Sequence, residues 1–274
     1  MGQRPPRCCA AIDASWCAAN DRIMPSLQGL LRWLREQSRA SALIDHVGRM
    51  ERATLLAIIA LPAALYAFAT LANAIVGGGT RAFDERMLLA LRTPGNLADP
   101  IGPKWVEEMM RDFTALGSTG VLALMVLAVG GFLVMTRKGH AALTVLVAVA
   151  SGVLLSQTMK WAYARPRPEL VPHGAEVYTA SFPSGHAMMS AIVYLTLGAL
   201  LARAQSGQGP KIYILAVAVI LTVLVGVSRV YLGVHWPTDV LAGWALGGMW
   251  ALACWLAMLW LQAKGQVEAN TGRG

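Results

Sequence analysis

Charge is scarce in this sequence: only 14% of its 274 residues are Asp, Glu, Lys or Arg, against 56% that are hydrophobic. A soluble domain carries closer to about a quarter charged residues, so an ordinary water-facing globule is excluded and an integral membrane protein is indicated. Carboxylates thin out further along the chain, where Glu169, Glu176, Asp239 and Glu268 are the only ones from position 118 onward. A two-metal centre needs several acidic ligands, so neither a metal nor another cofactor is expected. Cysteine is limited to Cys8, Cys9, Cys17 and Cys254, with no metal-ligand spacing and no disulfide framework; free thiols are expected. A signal peptide is not expected, because the first apolar run begins only near Ala53 and is long enough to span a bilayer. Pro6 breaks the myristoylation pattern that Met1-Gly2 would open.

Long apolar runs are what the chain has in abundance. A hydrocarbon core about 30 Å thick takes roughly 20 helical residues, and six segments approach that length: 53–76, 119–135, 141–159, 187–204, 211–227 and 239–261. The expected fold is therefore all-α, a six-transmembrane-helix bundle. Pro62 inside the first span is tolerable where neighbouring helices satisfy the freed backbone groups. The net charge of +8 does not point to nucleic acid, because eight basic residues lie in the first 52 positions, just before the first span, where they set topology. Arg137 and Lys138 follow the second span, and Arg203 and Lys211 follow the fourth, so these ends and both termini are expected in the cytoplasm.

Outside the spans, a basic tail over 1–52 is expected, with Leu27, Leu30, Leu31 and Leu34 at helical spacing. Over 25–50 it forms either a helix on the membrane surface or an unordered stretch. Residues 1–23 have no periodicity, which leaves Met24 and Met50 as alternative starts. A second short tail follows at 263–274. Between the first two spans, Phe83, Met87, Leu88 and Leu91 mark one amphipathic face, and Trp105, Met109, Met110 and Phe113 another. Two short interfacial helices are expected there, interrupted by Pro94, Gly95, Pro100 and Pro103, either packed on the bundle or forming a lid.

Three motifs stand at span ends. Lys160 closes the third span, and Arg167-Pro168 follows in the next loop. Snorkelling is the ordinary reading of a lysine at a helix end, but it does not account for cations clustered in one loop. Pro183-Ser184-Gly185-His186 opens the fourth span. Ser184 can cap that helix, Gly185 permits close backbone approach to a ligand, and the helix N-terminus is a ready anion site. His186, in the first turn, is placed to donate a proton. Ser228-Arg229 ends the fifth span, and His235 and Asp239 flank the start of the sixth. Asp239 can accept a hydrogen bond from one imidazole nitrogen and leave the other neutral and nucleophilic.

Lys, six residues, Arg-Pro; Pro-Ser-Gly-His; Ser-Arg, five residues, His, three residues, Asp: the chain resembles the type 2 phosphatidic acid phosphatase (PAP2) family of membrane phosphatases over residues 53–262. The resemblance implies that His235 attacks phosphorus to form a phosphohistidine, that Asp239 orients it, and that His186 protonates the leaving lipid oxygen. Lys160, Arg167, Arg229, Ser184 and the Gly185 amide would bind the non-bridging oxygens. Arg165 is outside the pattern, and either assists the phosphate or faces water. The implied partners are a membrane lipid substrate and the bilayer itself. Undecaprenyl diphosphate, phosphatidylglycerol phosphate, phosphatidate and a lipid A phosphate all share the group that these residues would bind. A phosphotransferase of the same family and a non-catalytic lipid carrier are the rival readings. The site is expected on the outer face of a bacterial inner membrane. Gly243 and Gly247 read as a small-residue stripe for helix packing, and Trp161, Trp236 and Trp260 as interfacial anchors.

Overall fold

A computed structural model of the chain describes residues 52–175 and 179–263; the surface helix expected over 25–50 lies outside these residues. The chain divides between Leu55 and Leu56, and the helical bundle lies in the second unit. In chain order the elements are α1 (Arg52–Val76), α2 (Arg81–Leu89), β1 (Arg92–Thr93), β2 (Asn96–Pro100), α3 (Lys104–Ala115), α4 (Thr119–Met135), α5 (Gly139–Tyr163), α6 (Gly185–Arg203), α7 (Gln208–Tyr231) and α8 (Pro237–Ala263). The all-α class expected from the sequence is the class observed. Five helices are long and apolar enough to cross a membrane. A sixth crossing is reached when α3 and α4, bent by 48° at their junction, count as one span.

The segment between α1 and α4 differs in two respects from the two interfacial helices expected. Where proline and glycine interrupt the helices, β1 and β2 pair antiparallel in a small hairpin, with Gly95 at φ 84° in its turn. The buried face of α2 also differs: it carries Asp84 and Leu88, four apart, while Phe83 and Met87 are exposed. An apolar face was read from helical spacing alone, and the buried acid displaces it because it finds partners described below.

Helices α5 and α7 run past their expected ends, so Lys160 and Arg229 lie inside their last turns instead of beyond them. Helix is favoured there because both cations reach acceptors without leaving the bundle. Helix α5 stops where Ala164 turns left-handed at φ 41° and donates its N–H to the Lys160 carbonyl; Pro166 and Pro168 then prevent resumption. Helix α8 begins with Pro237, suited to a first turn.

Helix α6 is the centre of the bundle, packed against α5, α7 and α8. Against α8 the backbones touch: a Cβ on Gly247 would stand 2.5 Å from the Met188 carbonyl oxygen, and one on Gly243 2.8 Å from that of Ser184. The small-residue stripe is thus a helix contact. One apolar cluster joins α4 to α7 through Leu122, Val126, Val145, Val193 and Val225. A second joins Phe68 and Ala72 of α1 to Phe182, Met188, Ile192 and Leu246. Leu124, Leu127, Leu154 and Ile212 point outward and exposed, as expected of helices solvated by lipid. The C-termini of α5 and α7, the N-termini of α6 and α8 and the loops between them carry all three motifs.

Candidate active site

Thr179 and Ala180, in the connection that leads into α6, accept hydrogen bonds from two cations of the motifs. Lys160 Nζ donates to the Ala180 carbonyl at 2.7 Å and to Thr179 Oγ1 at 3.1 Å. Arg167 Nε donates to the Thr179 carbonyl at 2.8 Å, and its Nη1 to the Val234 carbonyl at 2.6 Å. From α7, Arg229 Nη1 donates to Thr114 Oγ1 of α3 at 3.0 Å. Its Nε has no protein partner among the described residues, and only 4% of the residue is exposed. Burying cations with spare donors is costly unless an anion meets them.

Ser184 stands at the N-cap of α6, but its hydroxyl does not cap the helix as expected. The hydroxyl is buried and has no protein hydrogen-bond partner among the described residues. The capping reading fails because this residue is held by its backbone: its N–H donates to the Asp239 carbonyl at 3.0 Å, which points the side chain elsewhere. Gly185 lies beside Lys160, where an added Cβ would sit 3.5 Å from Lys160 Cε, so the N-terminus of α6 borders the ammonium. His186 follows in the first turn of α6, against the turn between α3 and α4 at Gly117. Ser228, the remaining polar motif residue, turns inward and donates to the Val225 carbonyl at 2.7 Å.

His235 is 1% exposed, between Arg167 and α8. Arg167 Nη1 lies 3.2 Å from His235 Nε2. A guanidinium can only donate, so Nε2 must accept, and the ring proton belongs on Nδ1. On that side, Asp239 Oδ2 is 3.6 Å from Nδ1, within ion-pair range but beyond a good hydrogen bond. Ser181 bridges the gap: its Oγ lies 3.3 Å from His235 Nδ1 and donates to Asp239 Oδ2. The direct His–Asp hydrogen bond expected from the four-residue spacing is therefore a three-residue relay. Burial, reinforced by Arg229 and Arg167 and opposed by Asp239, pushes the His235 imidazole down to about 3. It is neutral at physiological pH. Burial also pulls the Arg167 guanidinium below its ordinary value, with Asp239 opposing.

Arg165 neither joins the phosphate-type cluster nor faces water. Its Nη1 meets Asp239 Oδ1 at 2.5 Å and its Nη2 meets Asp84 Oδ2 at 2.8 Å, while its guanidinium lies 5.6 Å from the Trp236 ring centroid. Trp236 is correspondingly tied down, its Nε1 donating to the Pro166 carbonyl at 3.1 Å, and serves the site in addition to any interfacial role. Ser181 and Asp84 are the site residues that sequence reasoning missed, and Arg165 is one that it named without finding its partners. Ser181 had only its nearness to Pro183-Ser184 to commend it. Asp84 was one acid among six between the first two spans.

Residues 141–263 match the family model of the PAP2 superfamily. A phosphatidylglycerophosphatase B of Bacillus subtilis is 35% identical over 183 residues, which cover 66% of this chain and 85% of that one. The chain belongs to the PAP2 superfamily. It is a phosphatase and an integral membrane protein. An undecaprenyl-diphosphatase of Sulfolobus acidocaldarius is 33% identical over 140 residues, 48% of this chain and 59% of that one. The crystal structure of a transmembrane PAP2-type phosphatidylglycerolphosphate phosphatase from Bacillus subtilis matches with a TM-score of 0.67 and 30% identity, covering 73% of this chain and 96% of that one. The PAP2 match includes all eleven motif residues, from Lys160 to Asp239. It stops short of α1–α4.

Proposed function

We propose that this PAP2 phosphatase hydrolyses a lipid phosphate or diphosphate through a phosphohistidine formed on His235, without a divalent metal. The observation that carries the reading is the unprotonated Nε2 of His235, held against Arg167 at the rim of a cluster containing Lys160, Arg229 and the unpartnered Ser184 hydroxyl. Nε2 attacks phosphorus as the bond to the leaving oxygen breaks, and His186 gives that oxygen its proton. Asp239, through Ser181, takes up the growing positive charge on the ring, which is worth most in a buried site. Lys160, Arg167, Arg229, Ser184 and the Gly185 amide hold the non-bridging oxygens. Water then attacks the phosphohistidine, returning a proton to His186; the P–N bond breaks, and inorganic phosphate leaves. Three cations do the electrostatic work that a metal would do elsewhere, while Asp239 and Asp84 are already committed to Arg165.

Among lipid substrates, phosphatidylglycerol phosphate is the first to try, because the Bacillus relative bearing that name is matched over most of its length. The distribution of basic residues supports an outward-facing site on a bacterial inner membrane. The reading is tested by phosphate release from phosphatidylglycerol phosphate and undecaprenyl diphosphate in detergent, with excess chelator. Full activity in chelator, lost in His235→Ala, is expected; activity that returns only with magnesium contradicts it.

A further inference from the structure

Asp84 is 0% exposed, on a short helix whose other polar residues face outward. Burying a carboxylate is costly unless its charge and lone pairs are met, and here each of its contacts leads to the catalytic aspartate. Asp84 Oδ1 accepts the Thr238 backbone N–H at 3.0 Å, one of the first-turn donors of α8 that lack a partner within the helix. Asp84 Oδ2 accepts the Thr238 hydroxyl at 2.7 Å and Arg165 Nη2 at 2.8 Å. The same hydroxyl accepts from Arg165 Nη1 at 3.0 Å. Thr238 immediately precedes Asp239, and Arg165 Nη1 reaches Asp239 Oδ1 at 2.5 Å. Asp84 therefore grips Asp239 by its backbone and by one oxygen of its carboxylate. That leaves Asp239 Oδ2 for Ser181 and the Trp236 N–H, on the side facing His235. Sharing the guanidinium between two carboxylates also keeps Arg165 out of the cluster of Lys160, Arg167 and Arg229.

We infer that Asp84, which precedes the residues matched by the family model, is a positioning residue for the phosphatase reaction: through Arg165 and Thr238 it fixes the Asp239 carboxylate, and through that carboxylate the orientation of the His235 ring. The inference rests on the reading of His235 as nucleophile. A misplacement of a catalytic group by about 1 Å can cost on the order of 100-fold in rate, so the effect belongs in kcat.

The test measures kcat and KM for the full chain in detergent, on phosphatidylglycerol phosphate or undecaprenyl diphosphate, whichever is turned over faster. Asp84→Asn is expected to lower kcat by at least about 10-fold with KM unchanged. Arg165→Lys keeps the charge but cannot fork between two carboxylates, and is expected to lose kcat in the same way. Should Asp84→Asn fail to fold, Arg165→Lys decides. Arg81→Gln, on the exposed face of α2, is expected to leave both constants unchanged. Wild-type kcat in the decisive variant, with or without a fall in thermal stability, overturns the inference, as does a loss confined to KM. His235→Ala separates the two levels: an active His235→Ala sinks the underlying reading, whereas an inactive one beside a fully active Asp84→Asn sinks the role of Asp84 alone.

Discussion

All eleven motif residues come from α5–α8 and the loops that join them, whereas the stretch from α2 to the start of α4 holds none, yet supplies partners to Arg229 and to neighbours of the other motif residues. Thr114 accepts from Arg229, and Asp84 from Arg165 and Thr238. The carbonyls of Leu116 and Ile101 accept the hydroxyls of Tyr194 and Tyr231, and Arg92 donates to the Tyr231 carbonyl at 2.9 Å. On the proposed mechanism, one region supplies the reacting groups and the other sets where they stand. A buried group that must act at a fixed point needs a rigid second layer, and in this chain that layer is remote in sequence.

The comparison breaks first at Arg167. It belongs to the reacting region and touches His235 directly, so Arg167→Gln is expected to lower kcat/KM by about 100- to 1000-fold. Phosphate release by the purified variant measures this, and a loss as small as that of a supporting residue would blur the division. Thr114→Val should have a smaller effect. It leaves a buried Arg229 donor without an acceptor, and unsatisfied buried groups cost about 1–3 kcal/mol. A lower unfolding temperature in detergent and a several-fold fall in kcat/KM are expected, without the collapse expected at Arg167.

The smallest expected effect is that of mild acid. The imidazole of His235 lies at about 3, against its ordinary 6.5, and its neutral form is the proposed nucleophile. That form persists as pH falls until the lowered value is approached, so kcat/KM should stay level from neutral pH down to about 5. A half-loss near the ordinary histidine value of about 6.5, traced to His235, would mean that the ring is not buried as described. The pH profile of kcat/KM on stable protein decides.

The reacting region was legible in the sequence for a physical reason. Lys160, Ser184, His186, Arg229, His235 and Asp239 stand at the ends of long apolar runs, where polar residues are conspicuous, and helix ends on one side of a bilayer converge. Even there, spacing misled in detail. The four-residue spacing of His235 and Asp239 suggested a direct hydrogen bond, but Ser181 lies between their side chains, brought in by a loop whose path no periodicity records. Ser184 looked like a helix cap because the residue type fits, yet its backbone tie to Asp239 leaves its hydroxyl uncapped. The supporting region was hidden for the opposite reason. Asp84 and Arg165 are 81 residues apart, and an acid on an amphipathic helix looks solvent-facing until its partner is known.

The measurement that bears most directly on the central claim is a rapid acid-free quench during turnover of a phosphate-labelled lipid in excess chelator, followed by peptide mapping. A base-stable, acid-labile phosphoryl group on the peptide containing His235, absent in His235→Ala, is the predicted result. Turnover by His235→Ala at an undiminished rate, or a label found on another residue, would contradict it.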